Sequence, residues 1–88
     1  MKEEYPKLIM QKDIMYNDVT MKISIYKTTH FYDIIISGDN KLLLELKMQN
    51  EYANYIDYSK FGYPILILDT TDKLDEAKYV VKEFEKFH

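Results

Sequence analysis

Phe31-Tyr32-Asp33-Ile34-Ile35-Ile36-Ser37-Gly38-Asp39-Asn40-Lys41-Leu42-Leu43-Leu44-Glu45-Leu46-Lys47-Met48 is the stretch on which the fold turns. It consists of two apolar runs divided by Ser37-Gly38-Asp39-Asn40. The first run, Phe31 to Ser37, is rich in isoleucine and aromatic residues and reads as a strand. In the second, Lys41 to Met48, Leu42, Leu44, Leu46 and Met48 alternate with Lys41, Leu43, Glu45 and Lys47, which is the period of another strand. Gly, Asp and Asn tolerate positive φ, so the divider reads as a hairpin turn.

The same pattern extends upstream. From Thr20 to Thr28, Met21, Ile23 and Ile25 alternate with Lys22, Ser24 and Tyr26, and Thr28-Thr29-His30 supplies a turn. A three-stranded antiparallel meander results. Downstream, Pro64-Ile65-Leu66-Ile67-Leu68-Asp69 is apolar on both faces and reads as a buried fourth strand, with Pro64 tolerated only at its first residue. From Leu74 onward, Leu74, Ala77, Val80, Val81, Phe84, Phe87 and His88 fall within an arc of roughly 140° at helical spacing. Charged residues and Tyr79 take the rest, with Thr71 or Asp72 as cap and Asp75 and Glu76 in the first turn. The expected fold is α+β: a small antiparallel sheet of about four strands, a meander plus a fourth strand, with a C-terminal amphipathic helix packed on one face. Residues 1–88 form a single domain.

Two segments resist a single period. Leu8, Ile9, Met10, Ile14 and Met15, within Tyr5 to Asn17, fit a short strand or a short helix. In the connection Gln49 to Tyr63, Tyr52, Tyr55, Ile56 and Ser59 have helical spacing, which predicts one or two helical turns stopped by Gly62.

Composition narrows function more by exclusion than by indication. The chain has 88 residues, 47% hydrophobic and 31% charged, with a net charge of −3. Cysteine is absent, which removes thiol nucleophiles and cysteine metal sites. The twelve basic residues are all Lys; without Arg, bidentate grip on phosphate or guanine is lost, so nucleic acid is an unfavoured partner. No run approaches the ~18 apolar residues of a membrane span, and Met1 to Pro6 lacks a leader core, so the expected compartment is the cytoplasm. Many Ile, Lys and Tyr beside two Ala and no Arg suggest an AT-rich coding bias, as in a low-GC bacterium, its phages or its mobile elements.

Catalytic chemistry has little to stand on. His30 and His88 are the only candidates for a general base near neutral pH. Asp69 and Asp72 lie where a strand end could bind Mg²⁺, but helix capping accounts for the nearby carboxylates. Neither a glycine-rich phosphate loop nor a metal-ligand motif is present, so no cofactor, no metal and no enzymatic activity are expected. Lys78, Lys82 and Lys86 form a stripe on the last helix, with acids around them that cancel most of the field.

Two features exceed what a small fold requires. The less apolar face of the expected sheet still carries large residues, including Ile35 and Leu43, which is more than a solvated face should hold. The N-terminal or Tyr-rich segment could cover them; so could a partner protein or a second copy. Then Tyr52, Tyr55, Tyr58, Phe61 and Tyr63 place five aromatics in one connection. They either shield the sheet or form a protein-binding patch, for which Tyr is favoured; a stacking platform is a third reading. The function these features favour is a small non-catalytic protein that binds or inhibits a macromolecular, protein partner. The alternative is a small-ligand or weak nucleic-acid binding domain.

Overall fold

The computed structural model describes residues 6–87, and it contains five strands and two helices. The strands are β1 (Lys7–Tyr16), β2 (Val19–Lys27), β3 (Tyr32–Ser37), β4 (Asn54–Ile56) and β5 (Ile65–Thr71). The helices are α1 (Asn40–Gln49) and α2 (Leu74–Phe87). The strands make one antiparallel sheet in the order β1-β2-β3-β5-β4.

The meander is present but shifted toward the N-terminus. Its first strand is β1, the segment without a clean period. A bulge between Leu8 and Met10 breaks the alternation there, which is why Leu8-Ile9-Met10 reads as a run rather than a pattern. Tyr16 then pairs with Val19 across Asn17-Asp18, whose φ values are 50° and 62°. Two consecutive positive φ angles make the tight hairpin whose twist matches the strands, and Asn and Asp are the non-glycine residues that accept them most readily.

The expected third strand is instead α1, and the sheet has five strands rather than four. Asp39 accepts the Leu42 amide on its side chain at 3.1 Å, the standard N-cap bond. Leu42, Leu43 and Leu46 are buried while Leu44 is exposed, a spacing that only a helix produces. Gly38, at φ +143°, carries the chain from β3 into α1 directly above Met21. An added Cβ would lie 3.1 Å from Met21 Cγ.

The connection after α1 is not helical either. Asn50 closes α1, with its Nδ2 on the Leu46 carbonyl at 2.8 Å. The chain then enters the three-residue edge strand β4, which pairs with β5.

One hydrophobic cluster joins Ile14, Tyr16, Met21, Ile23, Ile25, Ile34, Ile36 and Leu66 of the sheet to Leu42, Leu43 and Leu46 of α1 and Ala77, Val81 and Phe84 of α2. His88 and the side chain of Phe87, which belong to the helical arc of the sequence, lie outside the described residues, as does Tyr5. The Thr71 hydroxyl accepts the Lys73 amide and donates to Glu76 at 2.6 Å, tying the end of β5 to the first turn of α2. On the core side of β1, Lys12 pairs with Glu85 of α2.

The second face of the sheet is covered in part by the chain itself. Ile35 and Ile65 are 4% and 3% exposed and do not belong to the main cluster. The segment from Tyr58 to Phe61 lies over them, with Ile56 and Ile67, around a cavity of ≈ 350 Å³. Phe61 packs on Tyr26 with ring centroids 4.8 Å apart, and Tyr63 lies 6.0 Å from Phe61. Towards β1 the same face turns polar: Gln11 bonds Ser24 at 3.0 Å and Lys22 pairs with Asp13 at 2.8 Å.

Candidate functional site

The five aromatics of the connection do not form one patch. Tyr55 belongs to the fold: it packs against the main cluster, and its hydroxyl contacts Asn40 and, at 3.2 Å, Asp57. Burial, followed by the Asp57 charge and hydrogen bond, holds its phenol above the usual range. Phe61 and Tyr63 stack on the second face. Burial, then Tyr63, raises the Tyr26 phenol beneath them. Tyr58 is on that side too but 93% exposed. Tyr52 lies on the opposite side and is 91% exposed.

Tyr52 borders a groove of ≈ 550 Å³ between the end of α1 and the outer side of α2. Ala53, Leu68, Val80 and Phe84 make its apolar floor. Its remaining lining includes Tyr79, Glu51, Asp69 and Glu83. The size is that of a pocket for a side-chain cluster or a small ligand.

Local structure explains why these residues meet. Lys47 Nζ donates to the carbonyls of Glu51 and Ala53, which folds the chain back beneath the C-terminus of α1 and sets Tyr52 at the rim. On β5, Ile67 lies opposite Ile35 but Asp69 lies opposite Ile34, so Leu68 is an extra residue. That bulge turns Asp69 to the side of the sheet that carries Ile34 and the core. Regular alternation would have left Asp69 on the other face with Ile67.

Tyr79 is the one uncharged residue on the outer arc of α2. It is 62% exposed. Hydrogen bonding to Glu83 one turn on, followed by the Glu83 charge, holds the phenol above its usual range. Of the groove residues, Tyr52 is a protein-binding candidate from sequence, and Asp69 is singled out there only as a strand-end carboxylate for a cation. Tyr79 stands out there only as an aromatic among charges. Leu68, Asp69 and Glu51 give no signal of a shared site, because a bulge and a chain reversal bring them together.

Of the residues weighed for catalysis, His30 is exposed in its turn, with an edge-on contact to Phe31. Asp33, three residues on, accepts the Thr70 hydroxyl at 2.9 Å on the second face. Asp69 accepts the Thr70 amide at 2.8 Å. Among the described residues, no three His, Asp or Glu come together as a metal-holding group, and no helix is long and apolar enough to cross a membrane. No family model matches this chain, and no curated protein or solved structure matches it.

Proposed function

We propose that this chain is a small non-catalytic binding domain, acting in the cytoplasm, that binds or inhibits another protein through side chains at the α1–α2 groove. One observation carries the reading. Tyr52 and Tyr79 are large, largely solvent-exposed, and set on one apolar-floored groove, while neither packs into the core. Exposed tyrosines around an apolar depression are the usual material of a protein-binding hot spot. The coding bias of the sequence suits a phage or mobile-element product acting on a host protein.

The test is quantitative affinity capture from lysate with wild-type, Tyr52→Ser, Tyr79→Ser and Tyr58→Ser baits. A partner retained by wild type and Tyr58→Ser but lost with Tyr52→Ser and Tyr79→Ser supports the reading. Equal recovery on all four baits refutes it.

The second-face cavity favours a second reading, a domain for a small apolar ligand. Ile35, Ile56, Phe61, Ile65 and Ile67 line it, with Asp33, Ser59 and Lys60 among its polar lining. Weak binding of nucleic acid along Lys78, Lys82 and Lys86 is the remaining version of this alternative, and it requires an affinity that falls steeply with salt.

A further inference from the structure

We propose that the α1–α2 groove takes a basic amphipathic stretch of the partner: Lys or Arg side chains at its rim and an apolar side chain on its floor. The proposal rests on the protein-binding role above and names the chemistry of the partner. Its first ground is charge. Glu51, Asp69 and Glu83 all line the groove, and no Lys does. None of the three makes an ion pair among the described residues; the pairs found there, Lys12–Glu85 and Lys22–Asp13, lie elsewhere. Lys47, beside the groove, directs its ammonium at two main-chain carbonyls instead.

The second ground is how the carboxylates are placed. Asp69 reaches the groove only because the β5 bulge turns it there, and bulges commonly re-aim a side chain at a binding surface. Glu83 lies on the rim one helical turn from Tyr79 and has acceptor capacity for a cation. The carboxylates are spread around the rim rather than converging, so they match several cationic side chains on one segment better than a single metal ion.

The third ground is the floor. Leu68, Val80 and Phe84 offer apolar surface between the charges. Lys and Arg can lay their aliphatic stems on it and against Tyr52 and Tyr79 while their charged ends meet the carboxylates. An acidic segment or a nucleic-acid backbone would meet like charge at Glu51, Asp69 and Glu83.

Three short blocked peptides in an amphipathic helical pattern test this: leucine with lysine, leucine with glutamine, and leucine with glutamate. Each is titrated into ¹⁵N-labelled protein. The lysine peptide is expected to bind tightest, to shift the amides of Tyr52, Ala53, Tyr79 and Glu83, and to weaken as salt rises. Replacing Glu51→Gln and Glu83→Gln together should weaken it about tenfold. Glu83→Gln keeps a side-chain carbonyl that can accept the Tyr79 hydroxyl, so a loss reports charge rather than collapse of the rim. Tyr58→Ser should leave binding unchanged.

Equal binding of the glutamate peptide, shifts centred on Tyr58, or indifference to the double replacement would overturn the proposal. So would groove shifts that grow with protein concentration in the absence of peptide, which would assign the groove to a second copy. If the lysine peptide fails while Tyr52→Ser still loses the captured partner, the binding role stands and only the basic chemistry falls.

Discussion

Phe61→Ala measures how far the chain covers its own second face. Removing a fully buried Phe side chain costs about 3–5 kcal/mol. Phe61 is half-buried, so about half of that loss applies. The tilted pair with Tyr26, at 4.8 Å between centroids, is worth ~0.5–1.5 kcal/mol beyond area. We therefore expect a loss of about 3 kcal/mol. A domain of this size is stable by about 4–13 kcal/mol, and each kcal/mol moves Tm by ~4–8 °C. Phe61→Ala should then lower Tm by about 12–24 °C in a thermal scan. Its urea midpoint should fall with an unchanged slope. Tyr58→Ala is the control: at 93% exposure it should stay within ~0.5 kcal/mol of wild type. The Tyr26 phenol should also titrate lower in Phe61→Ala, because burial is the main cause of its raised position. If Phe61→Ala behaves like Tyr58→Ala, the Tyr58–Phe61 segment is not what keeps Ile35 and Ile65 dry, and the account of this face fails.

Two more perturbations test α1 and the groove. Leu43→Ala should cost about 2–5 kcal/mol and Leu44→Ala less than ~1 kcal/mol, since Leu43 is 0% and Leu44 44% exposed; a strand over Lys41–Met48 would reverse the order, and urea unfolding of the two variants decides it. In a titration followed by tyrosinate absorbance, the Tyr79 phenol should ionise earlier in Glu83→Gln, with Tyr79→Phe identifying its signal. A raised phenol stabilises the fold below its unfolded pKa, and the benefit is lost as pH rises through the folded value; an unmoved curve in Glu83→Gln would show that the Glu83 charge does not raise the phenol.

The sequence was legible where period and propensity agree. Met21, Ile23 and Ile25 alternate in β2 and are buried as the alternation requires, and the apolar arc of α2 buries Ala77, Val81 and Phe84. It misled where two periods overlap. Leu42, Leu44, Leu46 and Met48 satisfy the strand period, while Leu42, Leu43 and Leu46 satisfy the helical one. The deciding signals were the Asp39 cap and the lack of any β-branched or aromatic residue from Asp39 to Asn50, where Leu, Lys, Glu and Met favour a helix.

The site was less legible than the fold. The aromatics of the connection suggested one surface, yet Tyr52 and Tyr55 lie on the helix side of the sheet and Tyr58, Phe61 and Tyr63 on the other. Glu51, Asp69 and Tyr79 are neighbours only through a chain reversal and a bulge, neither of which leaves a periodic trace.

The Lys12–Glu85 pair has a consequence for how the molecule meets others. β1 is the long outer edge of the sheet, where another strand could be added. A second copy approaching edge to edge about a two-fold axis must pair residues of the same face. Centred on Lys12, that pairing sets two ammonium groups side by side; centred on Asp13, it sets two carboxylates together. Centred on Gln11, it lays Lys12 against Met10. An inward-pointing charge and the Leu8–Met10 bulge thus discourage continuous sheet growth at this margin. The recognition proposed above uses side chains alone, so its specificity can change by substitution without altering the sheet.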